Sequence, residues 1–225
     1  MLFTMCGRYN VTDSPEVQEL CRLLGIHLYP EPRLNISPGA LGQFIAQKGG
    51  ERQLYTGMWS MLVEPKPDGS GAFRPNPKFK TFNARSDRLG SSSLWRRLYP
   101  SKRAIVPASA FHEWAGKQPY NITQPGRAIA FGALYELWKY GDVVVPAFSI
   151  ITLPPHPKFL HVHDKSLPLM LEPAAFDMWL DPDMRNTEAL ADLLESRLRQ
   201  DLLLTPIDSP KTLATIGEPE LFPAD

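Results

Sequence analysis

The sequence predicts an α+β fold in which mainly antiparallel sheet forms most of the structure. Short stretches rich in β-branched and aromatic residues recur between Gly and Pro, and helical patterns occur only early and late in the chain. In addition, 23 prolines are scattered over 225 residues and mark many turns rather than one linker. No repeat or shift of composition divides the chain, so we expect one domain over residues 1–225.

The first element is a helix that begins after Asp13 or Ser14, because either side chain can cap it. Pro15 suits its first turn, and Gly25 follows its last. The apolar residues of this stretch recur at helical spacing: Val17, Leu20, Cys21 and Leu24. We therefore expect Cys21 to be a core residue and not a nucleophile.

Seven strands are expected after this helix, over residues 43–47, 53–58, 103–108, 120–123, 128–134, 143–152 and 167–171. Residues 64–78 (EPKPDGSGAFRPNPK) are rich in Gly and Pro, which predicts a flexible segment. Two helices follow the strands, a short one from Pro173 through Trp179 and a longer amphipathic one from Thr187 through Leu198. Residues 181–225 thus comprise a C-terminal helix and an acidic tail.

The charges of the chain are balanced overall but unevenly distributed. Lys and Arg together number 24, and so do Asp and Glu. Residues 71–103 nevertheless carry nine basic side chains and one acidic one, Asp87, for a local net charge of +8, whereas residues 172–225 carry −8. A basic surface of this kind can hold several phosphates. A solvated basic face with scattered ion pairs explains the same pattern, and charge alone does not decide between them.

Four short segments contain side chains capable of chemistry: Met5-Cys6-Gly7-Arg8, Asn83-Ala84-Arg85, the stretch from Val106 to Trp114, and His161-Val162-His163-Asp164-Lys165. A cysteine at a chain terminus combines an α-amine with a thiol, and together they capture an aldehyde as a thiazolidine. A carboxyl between aromatic residues, as at Glu113, can have a raised pKa and transfer protons. Each segment also fits a purely structural role, so the residues alone leave a cysteine enzyme and a nucleic-acid binder open.

The sequence indicates no cofactor and no metal site. His161 and His163 are spaced for one face of a strand, with His156 and Asp164 nearby, but no cysteine pair or H-E-x-x-H motif accompanies them. No glycine motif for phosphate binding is present. Two cysteines cannot build a disulfide framework, and no stretch is apolar enough to span a membrane, so we expect a cytoplasmic protein.

Six motifs occur in an order that is typical of one family: Met5-Cys6-Gly7-Arg8-Tyr9, Arg33-Leu34-Asn35-Ile36-Ser37-Pro38-Gly39, Asn83-Ala84-Arg85, Val106-Pro107-Ala108 through Phe111-His112-Glu113-Trp114, Lys117-Gln118-Pro119-Tyr120, and His163-Asp164-Lys165 with Pro168. In these motifs the chain resembles the SOS response-associated peptidase (SRAP) family, from Met5 to about Leu180. The resemblance implies a barrel-like core of sheet flanked by helices. It also implies a monomeric DNA-damage protein that binds single-stranded DNA and crosslinks to abasic sites, with associated lyase and autoproteolytic activity.

The resemblance also assigns roles to residues. Cys6, as the mature N-terminal residue, would be the crosslinking nucleophile, which requires removal of residues 1–5. Asn83 would orient the ring-opened sugar, Glu113 would be the general acid and base, and His163 would transfer protons during imine formation and strand cleavage. Arg85 would contact phosphate and Trp59 would stack on a base. Further DNA contacts are expected from Arg8, Arg88, Arg96 and Arg97.

Other interpretations remain open. A cysteine peptidase acting on other proteins would need a base for the Cys6 thiol and an oxyanion hole, but no free α-amine. A non-covalent DNA-binding module would need the arginines of residues 71–103 and not Cys6. A metal-dependent hydrolase through His161 and His163 is a third alternative.

Overall fold

The computed structural model describes residues 7–225. Its strands are β1 (Arg8–Val11), β2 (Arg33–Ile36), β3 (Leu41–Lys48), β4 (Glu51–Trp59), β5 (Val63–Pro65), β6 (Phe73–Pro75), β7 (Asn83–Arg85), β8 (Arg103–Ala108), β9 (Ala110–Ala115), β10 (Gln118–Thr123), β11 (Ile129–Tyr140), β12 (Val143–Leu153), β13 (Leu167–Pro168), β14 (Leu202–Pro206) and β15 (Glu220–Phe222). The helices are α1 (Pro15–Leu23), α2 (Ser93–Leu98) and α3 (Phe176–Leu180). Short 3-10 turns lie at Ser86–Arg88, Pro157–Phe159, Pro173–Ala175, Thr187–Leu190 and Asp192–Leu194.

Five strands close into a barrel in the order β11-β8-β3-β4-β12, with β12 pairing back to β11. Every pairing in this ring is antiparallel except that of β4 with β12, where Trp59 is level with Phe148. The core holds large aromatic side chains that are 0% exposed: Phe44, Trp59, Phe131 and Phe148. The predicted α+β fold with mainly antiparallel sheet and a barrel-like core is confirmed.

A second sheet, ordered β15-β14-β10-β9-β1-β2, shares its core with the barrel. Only Ser109 separates β8 from β9, so the chain passes from one sheet into the other without a loop. Phe111 on β9 contacts Phe131 of the barrel, with ring centroids 5.8 Å apart. Because alternate residues of a strand face the same side, Glu113 faces the same side of β9 as Phe111.

Tyr9 fixes β1 to the barrel. Its ring is fully buried and lies 5.1 Å from the ring of Trp59. Gly42 on β3 provides the room, since a Cβ at that position would lie 2.2 Å from the Tyr9 hydroxyl oxygen and 3.0 Å from the Phe148 ring. This packing holds the beginning of β1 in place beside β9.

The predicted first helix is confirmed as α1. Ser14 is its N-cap, and its hydroxyl accepts a hydrogen bond from the Val17 amide at 3.4 Å. Cys21 is fully buried, as predicted, and burial raises the pKa of its thiol to about 11. The predicted short late helix corresponds to the turn Pro173–Ala175 followed directly by α3.

The predicted helix over residues 187–198 is wrong. Only the two short 3-10 turns form there, and the chain is extended at Glu195. The Leu198 amide donates to the Asp225 carboxylate at 2.8 Å, and the Asp225 amide donates to the Leu198 carbonyl at 2.9 Å. These bonds replace those a helix would need. The segment beyond continues into β14, which pairs with β10, so residues 181–225 complete the second sheet.

Residues 64–78 were predicted to be flexible, but they form most of a hairpin of β5 and β6. Glu64 binds Arg74 across it, with Nη2 and Oε1 2.7 Å apart. The hairpin is held against the barrel by the Tyr140 hydroxyl, which donates to the Val63 carbonyl, and by the Phe73 ring, 4.8 Å from that of Tyr140. The Gly and Pro residues therefore mark turns of an ordered element.

Within residues 7–225, no helix is long and apolar enough to cross a membrane.

Candidate active site and nucleic-acid groove

A buried acid and a buried imidazole face each other between the two sheets. Glu113 on β9 is 2% exposed, and His163 is 6% exposed. The Nδ1 atom of His163 lies 3.2 Å from Oε2 of Glu113. Two titratable groups as deeply buried as these are rarely found unless they are paired or have a function.

The segment before β13 aims His163 at Glu113. The turn Pro157–Phe159 ends with the His163 amide donating to the Phe159 carbonyl at 2.7 Å. Burial lowers the pKa of His163, Asp164 partly opposes this effect and Lys165 adds to it, so the ring is neutral at pH 7. When Nδ1 donates to the Glu113 carboxylate, Nε2 carries the lone pair of a base. Nε2 is buried, and none of residues 7–225 hydrogen-bonds it.

The beginning of β1 lies next to this pair. Arg8 is level with His112, the neighbour of Glu113, and its Nη1 donates to Oδ1 of Asn35 at 2.7 Å. Arg8 is therefore half-buried and already engaged by the protein. Cys6, the predicted nucleophile, lies outside the described residues.

Asn83 and Arg85 are placed by β7, which adds to the barrel in parallel beside β12. In this register Asn83 is level with Ile150, and Arg85 with Thr152. Asn83 is half-buried and Arg85 is exposed. The Arg85 guanidinium makes a two-point contact with Asp87, at 3.0 Å from Nε and 2.7 Å from Nη2. This contact lowers the pKa of Asp87 and raises that of Arg85.

Both residues open onto a groove of about 690 Å³. Its basic lining consists of Lys80, Arg85, Arg88 and Lys165, and its aromatic lining includes Phe79 and Trp95. No acidic side chain is found among the described residues that line it. The groove reaches Lys165, two residues after His163, so the segment from His163 to Ser166 connects the buried pair with the basic groove. We use the name basic groove for this groove of about 690 Å³.

A smaller pocket of about 70 Å³ opens beside Arg85 and Lys165. Thr152 and Ser166 also line it, and these residues are 1% and 4% exposed. Their hydroxyl oxygens are buried and make no hydrogen bond within the described part of the chain. Asp87 also lines the pocket and is paired with Arg85, so two cations, one carboxylate and two unpaired hydroxyls give a net positive lining that is suited to an anion such as phosphate. Sequence reasoning missed Thr152 and Ser166, since single hydroxyl residues give no signal. The two residues come together only because β12 pairs with β13, which begins directly after Ser166.

The structure corrects the expectation for Trp59. Its ring is 0% exposed, its Nε1 donates to the Phe82 carbonyl at 2.8 Å, and it stacks against Phe148 at 6.3 Å. Trp59 ends β4 with its side chain inside the core, so it cannot stack on a DNA base in this structure.

The basic stretch of residues 71–103 does not form one surface. Arg88 lines the basic groove, whereas Arg96 and Arg97 on α2 do not. Arg97 is paired with Glu136 at 2.8 Å. Arg103 is 2% exposed and uses all five of its N–H groups on backbone carbonyls: Tyr99, Pro100, Trp179, Asp181 and Met184. The local charge of +8 therefore overstates the charge available to a ligand.

The structure pairs Glu113 with His163 and leaves His161 on the surface. The His161 side chain is 56% exposed and lies 3.5 Å from Glu220, and His156 instead contacts Asp225 at 3.0 Å. No group of three or more His, Cys, Asp or Glu side chains within residues 7–225 could hold a metal ion.

Comparison with known proteins places the chain among relatives of one kind. YoqW of Bacillus subtilis, named an abasic site processing protein, is 26% identical over 97% of this chain and 99% of its own length. HMCES of Xenopus tropicalis, which carries the same description, is 25% identical over 79% of this chain and 66% of its own length. YMR114C of Saccharomyces cerevisiae, also so described, is 33% identical over 52% of this chain and 33% of its own length.

Solved structures share the fold. A Bordetella bronchiseptica protein superposes with a TM-score of 0.70 at 22% identity, over 91% of this chain and 100% of the other. A Bacteroides thetaiotaomicron protein gives 0.68 at 19% identity, over 90% and 95%. The sequence profile of the SOS response associated peptidase (SRAP) family matches residues 5–210, well past the limit near Leu180 that the motifs indicate. The chain is a member of the SOS response-associated peptidase family.

Proposed function

We propose that this protein binds single-stranded DNA in the cytoplasm, as a monomer, and covalently traps abasic sites through Cys6. The buried Glu113–His163 pair carries this proposal, because it supplies a proton donor and acceptor beside β1, and Arg8 is only two residues after Cys6 in the sequence. The names of the relatives, which describe abasic site processing, support the substrate.

The proposed reaction joins an aldehyde to an aminothiol. Removal of residues 1–5 exposes the α-amine of Cys6, which adds to C1′ of the ring-opened sugar. Loss of one water molecule gives an imine, and the thiolate then adds to the imine carbon and closes a thiazolidine ring. Holding the amine and thiol beside the aldehyde makes both additions effectively intramolecular, which is the largest source of rate acceleration here.

Each step moves a proton, and the buried pair has the chemistry for this. Ring opening of the sugar needs a base at the hydroxyl and an acid at the ring oxygen, and dehydration needs an acid at the departing oxygen. We assign these transfers to Glu113, with His163 holding its carboxyl and relaying protons through Nε2. Asn83 orients the opened sugar, and Arg85, Lys165, Thr152 and Ser166 hold an adjacent phosphate.

The associated lyase activity follows from the imine. An imine at C1′ acidifies the C2′ protons, so that removal of one by a base expels the 3′ phosphate and cleaves the strand. Closure of the thiazolidine competes with this elimination because it consumes the imine. Cys6→Gly keeps an α-amine and lacks the thiol, so it should form an imine and cleave the strand without giving a stable crosslink.

Incubation with a single-stranded oligonucleotide that carries one abasic site tests the proposal. A denaturation-resistant protein–DNA band should form and should be absent for Cys6→Ala. Glu113→Gln and His163→Ala should slow its formation at least tenfold, because each removes one partner of the proton-transferring pair. His161→Ala is the matched control, since His161 lies two residues away on the surface, and it should react like the wild-type protein. Equal crosslinking by Cys6→Ala would overturn the assignment.

Intact-mass measurement of the protein made from its native gene tests the requirement for a free amine. The active form should begin at Cys6, after initiation at Met5 or autocatalytic removal of the leader. An active protein that retains Met1 contradicts the thiazolidine route and favours a cysteine peptidase. Salt-dependent DNA binding without any adduct favours a non-covalent binding module.

A further inference from the structure

The position of His163 depends on a short turn in the connection between β12 and β13. This connection, residues 154–166, contains the turn Pro157–Phe159 and reaches His163 four residues later. The Phe159 carbonyl accepts the amide hydrogens of both Val162 and His163, at 2.9 and 2.7 Å. Whatever holds the turn therefore also sets where the His163 ring lies relative to Glu113.

Residues 220–225 pack against this turn, and we call them the C-terminal clamp. The Phe222 ring meets the Phe159 ring edge to face, with centroids 5.1 Å apart, and both rings are buried. Phe222 belongs to β15 and is level with Leu202 of β14. The aromatic contact therefore joins the turn to the second sheet.

Asp225 makes the polar contacts of the C-terminal clamp. Its Oδ2 lies 3.0 Å from Nε2 of His156, and its Oδ1 lies 3.0 Å from Nζ of Lys158. The Lys158 amide donates to Nδ1 of His156 at 3.2 Å, so neutral His156 carries its proton on Nε2 and donates it to Asp225. One carboxylate thus fixes the two residues on either side of Pro157.

The carboxylate of Asp225 is ionised at neutral pH. Burial opposes ionisation, but hydrogen bonds from the Leu198 amide, Lys158 and His156 outweigh it and lower the pKa of Asp225 to about 2. Lys158 also donates from Nζ to the Pro223 carbonyl at 2.7 Å. Removal of the carboxylate would leave its donors without this acceptor and would loosen the turn.

The C-terminal clamp and Glu113 belong to the same sheet. Strand β15 pairs with β14, β14 with β10, and β10 with β9, where Tyr120 is level with Glu113. The sheet therefore holds Glu113 on β9 and, three strands away, the residues that grip the turn before His163. A frame that carries both partners fixes the distance between them, and proton transfer tolerates little misplacement.

We propose that the C-terminal clamp positions His163 against Glu113, with Asp225 as a positioning residue for the reaction. Asp225 acts through the turn Pro157–Phe159 and takes no part in the chemistry itself. The inference rests on the proposed function, which gives His163 its role in proton transfer. The C-terminal clamp lies beyond residues 5–210, which the family profile matches, so membership of the family does not account for it.

The first experiment observes His163 without the reaction. Nitrogen-15 spectra of histidine-labelled protein distinguish the two ring tautomers, and the signals that vanish in His163→Ala belong to His163. In the wild-type protein the proton should lie on Nδ1, and in Asp225→Ala the signals should move toward those of an unconstrained, exchanging imidazole. Asp208→Ala is the matched control, since Asp208 accepts its hydrogen bonds from residues 209–214, and it should leave the signals unchanged. Unchanged His163 signals in Asp225→Ala would overturn the proposal.

The second experiment measures the rate of crosslinking to an abasic site at saturating single-stranded DNA. Asp225→Ala should react about three- to tenfold more slowly than the wild-type protein, because His163 occupies its competent position for less of the time. Affinity for an oligonucleotide with a tetrahydrofuran spacer, which has no aldehyde and cannot crosslink, should not decrease, since Asp225 does not line the basic groove. In the His163→Ala background, Asp225→Ala should cause no further loss of rate. Equal fold-losses in both backgrounds would reduce the C-terminal clamp to a contribution to stability and would overturn the proposal.

Lys158→Met tests the C-terminal clamp from the opposite side. The Lys158 side chain is half-buried, so this variant should fold even if Asp225→Ala does not. It removes the ammonium group from Asp225 and from the Pro223 carbonyl, and it should both slow the saturated rate and shift the His163 signals. A normal rate together with normal His163 signals would contradict the proposal independently of Asp225→Ala.

The two proposals fail separately. The histidine spectra need no adduct and can be recorded on Cys6→Ala, whereas crosslinking reports on the covalent function. Absence of any adduct, with a His163 tautomer that depends on Asp225, would remove the covalent function and leave the C-terminal clamp. Crosslinking that Asp225→Ala does not slow would leave the chemistry and remove the C-terminal clamp from it.

Discussion

Replacement of His112 by phenylalanine should make the fold less sensitive to acid. His112 on β9 is 0% exposed, and desolvation by burial is the main reason that its pKa falls from 6.5 to about 4, with the backbone of Tyr120 opposing the shift and Arg8 adding to it. The ring is therefore neutral in the folded protein at every pH above about 4. In the unfolded chain the ring binds a proton below about pH 6.5. Between pH 6.5 and pH 4 the unfolded state therefore binds more protons than the folded state, and the free energy of unfolding decreases as the pH is lowered.

The magnitude follows from the shift. Each pKa unit corresponds to about 1.36 kcal/mol, so lowering the pH from 7 to 4.5 should cost the wild-type protein about 2–3 kcal/mol through His112. A phenylalanine has no proton to bind, so this part of the pH dependence should disappear in His112→Phe. Burial also lowers the pKa of His163, which leaves the variant with a smaller residual dependence of the same sign.

Urea unfolding at pH 7 and pH 4.5 measures the difference directly. The free energy of unfolding should change less between pH 7 and pH 4.5 for His112→Phe than for the wild-type protein. His161→Phe, a control at an exposed position, should change as much as the wild-type protein. Equal losses for His112→Phe and the wild-type protein would refute the assignment of acid sensitivity to His112. The comparison does not require the two proteins to be equally stable at pH 7, because only the change with pH is scored.

Three further substitutions test single features. Trp59→Ala should destabilise the fold by about 3–5 kcal/mol in the same unfolding assay, since it opens a cavity in the core. The folded variant should bind single-stranded DNA as the wild-type protein does. Arg103→Leu should destabilise it by about 3 kcal/mol or more because five backbone carbonyls lose their donor, and a loss under 1 kcal/mol would show that water replaces the guanidinium. Thr152→Val should leave stability within about 1 kcal/mol, because the hydroxyl has no described partner, but should weaken DNA binding about tenfold; unchanged affinity would exclude the small pocket as a phosphate site.

Local signals in the sequence predicted local structure well. The cap and spacing of α1 are properties of one short stretch, and the structure reproduces them from Pro15 to Leu23. Strand β8 begins and ends at the predicted residues, Arg103 and Ala108. Closure of the barrel is different in kind, since the parallel contact of β4 with β12 joins residues almost ninety positions apart and leaves no trace in the periodicity of either strand.

The failures share one cause, which is that a distant partner competes with local preference. Leu190, Leu193 and Leu198 are all buried, so their apolar spacing is real, but Asp225 takes the backbone bond of Leu198 that a helix would use. In the same way, the packing of Phe73 on Tyr140 orders a segment whose composition predicts flexibility.

In the candidate site, too, the sequence could not predict the contacts between residues that are far apart in the chain. Spacing cannot associate Glu113 with His163, since 50 residues separate them, and only the resemblance to a family paired their roles in advance. The resemblance gave no reason to examine Thr152 or Ser166. What marks these residues is burial of a hydroxyl without a partner, a property that exists only in the folded chain.

The site combines the buried Glu113–His163 pair with the basic groove, and this combination affects how the proposed reaction works at neutral pH. Attack on the aldehyde needs a neutral amine and a thiolate, although an ordinary α-amine and thiol have pKa values of about 8 and 8.5 and are mostly protonated at pH 7. In the proposed reaction, positive charge near the reacting groups would disfavour the ammonium form and favour the thiolate, and the basic groove that Arg85 and Lys165 line reaches to within two residues of His163. Salt at 0.1 M screens interactions between charges that are more than about 10 Å apart. Added salt should therefore slow crosslinking even when DNA is saturating, and it should shift the pH–rate profile to higher pH. A rate that is independent of salt at saturation would confine these cations to binding.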